Sequence, residues 1–175
     1  FTTVVTDTNL TAVNAQNLSA TNTFIVAVNE VNAAPVLTLP ADQSINEMVL
    51  YSNTATATDA DAPTNPLIFT LVSGPAGLSV SSGGAISWTP TEAQGPGFYP
   101  VQIRVTDTNP PAVNTTSLSA TSSFMLTVNE VNLAPTLLPP ANRTLHAGAT
   151  LSVNASATDP DQPANTFTYA RVSGP

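Results

Sequence analysis

Laid over itself at an offset of 100 residues, this chain matches without a gap: 35 of the positions 1–75 carry the same residue as positions 101–175. Val5-Thr6-Asp7-Thr8-Asn9 returns as Val105-Thr106-Asp107-Thr108-Asn109, and Val28-Asn29-Glu30-Val31-Asn32 as Val128-Asn129-Glu130-Val131-Asn132. Ala57-Thr58-Asp59, with Asp61 and Pro63, returns as Ala157-Thr158-Asp159 with Asp161 and Pro163. Solenoid units run about 20–50 residues, so a period this long describes whole domains strung in tandem. The phase predicts residues 1–32 as the C-terminal part of a preceding unit, 33–132 as one complete unit, and 133–175 as the N-terminal part of a following unit. Such a chain is expected to belong to a longer polypeptide.

Within the complete unit every signal is of strand type. Tyr99, Val101, Ile103 and Val105 alternate with Pro100, Gln102, Arg104 and Thr106, the period of a strand buried on one face and wet on the other. Phe124, Leu126 and Val128 alternate with Ser123, Met125 and Thr127 in the same way. Gly74-Pro75, Gly83-Gly84, Gly95-Pro96-Gly97 and Pro110-Pro111 punctuate the runs as turns. No helical stripe interrupts them. Short strands with turns every 8–12 residues or so predict an all-β chain of tandem Greek-key β-sandwiches.

Charge narrows the function. Only 8% of residues are charged, against about 25% in typical domains, with no Lys, three Arg and a net charge of −8. Nucleic acid and anionic membrane both need a basic footprint, so neither is an expected partner. Cations are. With no Cys and one His, His146, no disulfide, thiolate metal site or Ser-His-Asp triad is available, and no nucleophile, base and orienter come together by sequence. An enzyme is not expected. No apolar run reaches the 18 or more residues of a membrane span, so no membrane insertion is expected in this segment.

Eight of the eleven acidic residues form four pairs at the repeat offset: Asp7 with Asp107, Glu30 with Glu130, Asp59 with Asp159, and Asp61 with Asp161. The carboxylates are placed rather than scattered. Asp59 and Asp61, if on extended backbone, project to the same side. At about 5 Å two carboxylates repel by roughly 3 kcal/mol at an effective dielectric near 20. A hard divalent cation relieves this, and Ca²⁺ takes 6–8 oxygen ligands from carboxylates, amides and backbone carbonyls. The alternative is that Asp59 and Asp61 cap a turn through hydrogen bonds to the backbone. The segment Glu30–Pro35 leaves hardly any slack between units. Glu30, the amide of Asn32 and the Asp59/Asp61 pair are therefore expected to meet in one junction, where a cation would stiffen the array and without which Ala33-Ala34 would be the hinge.

The run Ala57-Thr58-Asp59-Ala60-Asp61, the linker Val28-Asn29-Glu30-Val31-Asn32-Ala33-Ala34-Pro35, and Gly77-Leu78-Ser79 followed by Gly84-Ala85-Ile86-Ser87-Trp88-Thr89-Pro90-Thr91 together resemble bacterial cadherin-like and immunoglobulin-like tandem repeats of large secreted or surface proteins. The resemblance implies an Ig-like or cadherin-like sandwich, an extracellular location, and calcium between successive domains. It implies as ligands Asp59 and Asp61, and Asp159 and Asp161 in the next unit, as the Asp-x-Asp motif. Asp107 resembles the late-strand Asp that faces the same junction as Asp59 and Asp61. Glu47 resembles the early Glu and faces the following junction, near Glu130 and Asn132, where Glu92 loosely matches a mid-domain acidic motif. The linker departs from the cadherin run: it offers Glu30 and Asn32 but has Ala33 or Leu133 where an Asp is common, and Ala147 stands where Glu47 would recur. Fewer or weaker sites are expected in consequence.

The leading expectation is a calcium-stiffened stalk or spacer of an extracellular, adhesin-like protein, whose partners are neighbouring repeats, other copies of the chain or cell-surface ligands. Two others stand beside it. Loops such as Gly95-Pro96-Gly97 or the Pro110-Pro111 turn would recognise a glycan or protein, or residues 133–175 of one chain would join 1–32 of the next in a head-to-tail fibre. Trp88 reads as a core residue by strand alternation, with a sugar-stacking platform as the alternative.

Overall fold

The computed structural model describes residues 1–14, 17–62 and 64–173. Pro63 and Gly174-Pro175, which carry part of the repeat, lie outside the described residues. Among the described residues thirteen strands run in order: β1 (Thr2–Thr8), β2 (Asn17–Thr23), β3 (Val36–Thr38), β4 (Gln43–Asn46), β5 (Tyr51–Thr54), β6 (Thr56–Thr58), β7 (Leu67–Ser73), β8 (Ser79–Val80), β9 (Ala85–Trp88), β10 (Gly97–Asp107), β11 (Ser119–Asn129), β12 (Thr136–Leu138) and β13 (Ser156–Thr158). Among the described residues the helical element is one 3-10 turn, Glu92–Gln94.

Strands β3 to β11 make the sandwich. One sheet has the order β4-β11-β10-β7; facing it are β5-β9-β8 and the β3-β6 pair. Strand β7 lies beside β10 while β8 and β9 belong to the other sheet, the crossing that defines a Greek key. The alternation of β10 and β11 in the sequence is the alternation of their burial: Val101, Ile103, Val105, Leu126 and Val128 are buried, Arg104 and Ser123 exposed. Phe69 on β7 and Phe124 on β11 add to the same sheet's share of the core, and from the opposite sheet come Tyr51, Ile86 and Trp88, with Leu78 from the turn before β8. The two half-strands β5 and β6 are broken at Ala55, whose N–H donates to the Gly84 carbonyl (2.8 Å). Gly84 has φ +89° and a Cβ there would overlap the Ala55 carbonyl, so this approach requires glycine.

The repeat survives into three dimensions. β1 and β2 pair as β10 and β11 do, with Thr6 opposite Ser19 as Thr106 is opposite Ser119, and β12-β13 repeats the β3-β6 register. Identical residues differ in burial, however. Val105, Phe124 and Val128 are buried while Val5, Phe24 and Val28 are exposed, because only β3–β11 include both sheets.

Register positions the chemistry. Parallel pairing of β4 with β11 sets Asn46 opposite Asn129, so the next residues, Glu47 and Glu130, emerge side by side. Antiparallel pairing of β3 with β6 sets Val36 opposite Thr58, so the linker before Val36 runs beside Asp59 and Asp61.

Candidate metal centre

Two groups of three carboxylates result, one at each linker. Asp59, Asp61 and Asp107 form the first, and Glu47, Glu92 and Glu130 the second; within each group, one oxygen per residue lies within 4.8 Å of the others.

At the first, Asp59 and Asp61 follow directly on the end of β6. Asp59 Oδ1 accepts the Asp61 N–H (3.0 Å), closing an Asx turn, and this turn is what draws the two carboxyls together. Asp61 then accepts the Ala33 N–H (2.9 Å) and the Asn65 and Asn109 amides (2.9 and 3.0 Å). Asp107, fully buried at the end of β10, accepts the Leu118 N–H (2.6 Å) and the Asn32 amide (3.2 Å). Asn109 also reaches Glu30 Oε1 (3.4 Å). Glu30, Asn32, Asp59, Asp61 and Asp107 are thus brought to one place.

At the second, Glu47 is 1% exposed, and its Oε1 accepts the Val131 N–H (2.8 Å). Asp161 accepts the Leu133 N–H (3.0 Å) and the Asn165 amide (2.6 Å), and Asp159 the Asp161 N–H (3.0 Å), repeating the Asx turn and the Ala33 and Asn65 contacts of the first site. Asn165 reaches Asn132 Oδ1 (3.4 Å). Burial, then the charge of Glu47, hold the Glu92 carboxyl above its ordinary value of 4.5, and the charges of Asp161 and Asp159 add to this. The Glu130 carboxyl is raised by burial and by Glu47 in the same order. Glu92 is held by the 3-10 turn, where the Thr91 N–H donates to Gln94 Oε1 (2.9 Å).

Hydrogen bonds leave a remainder. Asn32 Oδ1, Asp59 Oδ2, Asp107 Oδ2 and Asn109 Oδ1 at the first linker, and Glu47 Oε2 at the second, are buried acceptors with no donor, while the Gln162 backbone N–H bears on the Glu92 and Glu130 carboxyls. Buried acceptors left unpaired cost about 1–3 kcal/mol each, more when charged. Two oxygens on opposite sides of a Ca²⁺ ion lie about 5 Å apart, so the spread of each group fits one hard cation, and the donor set is all oxygen.

Sequence reasoning passed over Asn65, Asn109, Asn165 and Gly95. The asparagines were legible, since Asn9 with Asn109 and Asn65 with Asn165 recur at the repeat offset. Gly95 was read as a turn residue, yet a Cβ on it would overlap the Glu47 carboxylate and come within 2.8 Å of its carboxyl carbon. Gly95→Ala is expected to displace that carboxyl and destabilise the sandwich by about 1–3 kcal/mol. Denaturant unfolding of the variant measures it. Trp88 is 1% exposed, with its Nε1–H donating to the Ala76 carbonyl (3.1 Å), so it is core and offers no stacking face.

An all-β Greek-key sandwich of this kind has an Ig-like, cadherin-like fold. The Putative Ig domain family model matches residues 34–129; the chain belongs to that family. Chitinase A of Pseudoalteromonas piscicida is 29% identical over 143 residues, which are 79% of this chain and 16% of that enzyme. Among solved structures, the protocadherin gammaB7 EC3-6 cis-dimer aligns with TM-score 0.54 at 19% identity over 92% of this chain and 43% of that one. The extracellular domain of protocadherin GammaB4 aligns at 0.51, also at 19% identity, over 83% and 27%. These two likenesses speak for the fold. No helix among the described residues is long and apolar enough to cross a membrane.

Proposed function

We propose that this chain is a non-enzymatic spacer segment of an extracellular repeat protein, with junctions stiffened by Ca²⁺. In this reading residues 33–132 are one complete unit, 1–32 end the unit before it and 133–175 begin the next. The observation that carries it is the set of buried, donorless oxygens gathered at both linkers. Within one unit the Asp59/Asp61/Asp107 group faces the linker that precedes it and the Glu47/Glu92/Glu130 group the linker that follows. A full junction would join the Glu group of one unit to the Asp group of the next, with Glu30 and Asn32, or Glu130, Asn132, Asp159 and Asp161, between them. A bound cation would neutralise these carboxylates, and the chain's own residues would hold them in place through Asn65, Asn109, Asn165 and the linker N–H groups. The 29% identity to part of a chitinase fits a spacer that sets an enzymatic or adhesive domain at a distance. Neighbouring units are the expected partners, and the location is outside the cell.

Calorimetric titration of the chain with CaCl₂ tests this. Saturable binding and a higher Tm are expected, both reduced in the double variant Asp59→Asn/Asp61→Asn. An unchanged Tm between Ca²⁺ and EDTA would remove the stiffening role.

A further inference from the structure

The loop between β10 and β11, residues 108–118, carries a second set of contacts to the linker that involves no carboxylate. The Val113 N–H donates to the Glu30 carbonyl (2.9 Å), and Glu30 and Ala112 form a parallel bridge. Asn114 completes the grip in both directions: its Oδ1 accepts the Asn32 N–H (2.9 Å), and its Nδ2 donates to the Asn32 carbonyl (2.9 Å). A side-chain amide used this way reproduces one rung of a β-ladder. Every partner is a neutral amide, so neither chelation nor protonation of a carboxylate touches these bonds.

The loop's sequence and its first turn recur. Ala12-Val13-Asn14 recurs as Ala112-Val113-Asn114, while Leu10, Thr11, Asn17 and their partners Pro110, Pro111 and Ser117 differ. The same turn forms in each: the Ala12 N–H donates to the Asn9 carbonyl (3.1 Å) and the Ala112 N–H to the Asn109 carbonyl (3.2 Å).

We infer that this loop is an ion-independent strap that makes the linker from Glu30 to Asn32 part of the sandwich that follows it. The grip from the preceding side is of another kind. Seen at the second linker, it is the carboxylate of Glu47 on the Val131 N–H, inside the group of three glutamates. The strap therefore holds at all times, and the Glu47 contact is the one that a cation governs. Bending in the cation-free chain falls before Glu30, not at Ala33-Ala34, where the Ala33 N–H is bonded to Asp61. The inference rests on the tandem reading only for the role of residues 30–33 as a linker.

Residue-resolved amide exchange by NMR on the 175-residue chain, in EDTA and in Ca²⁺, tests it. The Asn32 and Val113 amides are expected to keep their protection in EDTA to within about threefold, while Val131 loses about tenfold or more. In Asn114→Ala, read in EDTA, Asn32 should exchange about tenfold faster or more, as befits the loss of a bonded partner. Protection along β10 and the Tm of the sandwich, unchanged, would show that the variant folds. Two results would overturn the strap: Asn32 and Val113 losing protection on chelation as far as Val131 does, or Asn114→Ala leaving Asn32 unchanged. A Val131 amide indifferent to Ca²⁺ would count against the cation reading alone, because the strap is judged in EDTA.

Discussion

Glu47→Gln is expected to change sign with the solution: in EDTA the variant melts above the parent, and in saturating Ca²⁺ below it. Glu47 is buried beside Glu92 and Glu130, and its Oε2 has no donor. Without a cation its charge is a liability. Glutamine keeps the Oε1 acceptor for the Val131 N–H and turns an NH₂ donor toward the neighbouring carboxylates. Removing one buried charge whose Oε2 has no donor and which faces two other carboxylates should stabilise by about 1 kcal/mol or more, a rise of about 4–8 °C in Tm for a sandwich of this size. In Ca²⁺ the balance reverses, since a ligand at 100 times its Kd stabilises by about 2.7 kcal/mol and the variant forfeits much of that. Differential scanning calorimetry in the two buffers reads both arms. A variant that melts below the parent in both would mean that Glu47 acts through packing alone.

The same cluster sets a pH dependence in EDTA. The Glu92 and Glu130 carboxyls titrate above 4.5 in the folded chain, so the folded state takes up their protons before the unfolded state does. Their unfavourable contribution is full at neutral pH and is relieved as pH falls through the raised values toward 4.5. Acidification over that window acts in the same direction as Glu47→Gln.

Trp88→Ala is expected to cost about 3–5 kcal/mol, a large share of the roughly 5–15 kcal/mol by which an ordinary domain is stable. Trp88 is 1% exposed, packs edge-on against Tyr99 at 5.2 Å between ring centroids, and lies opposite Tyr51 in the sheet. Its Nε1–H donates to the Ala76 carbonyl, which also accepts from Gln94 Nε2, so the cost of truncation is chiefly that of the cavity. Circular dichroism through urea unfolding measures the loss. A cost under about 1 kcal/mol would mean that the space closes over, and that the two sheets are held by β10 and β11 without it.

The two large effects fall at different levels of the molecule. Trp88 lies where the sheets face each other, and its importance follows from strand alternation, which is visible in the sequence. Glu47 lies at the rim, and its importance follows from what two other segments bring beside it.

That difference marks what the sequence by itself determined. A period of 100 residues with alternating apolar positions specifies tandem β-sandwiches, because side-chain direction along a strand depends only on parity and a repeat of that length only on chain comparison. It also marks Asp59, Asp61, Asp107, Glu30 and Asn32 as placed residues, since each recurs. Three things were decided by tertiary structure. The parallel register of β4 on β11 puts Glu47 against Glu130 across more than 80 residues of chain, and no local pattern reports a register between distant strands. The need for glycine at Gly95 arises from the Glu47 carboxylate packed against it, not from the turn. The hold of Asn114 on Asn32 exists because the loop after β10 folds back over the linker. Periodicity is a property of neighbours along the chain, whereas a cluster of oxygens is a property of neighbours in space.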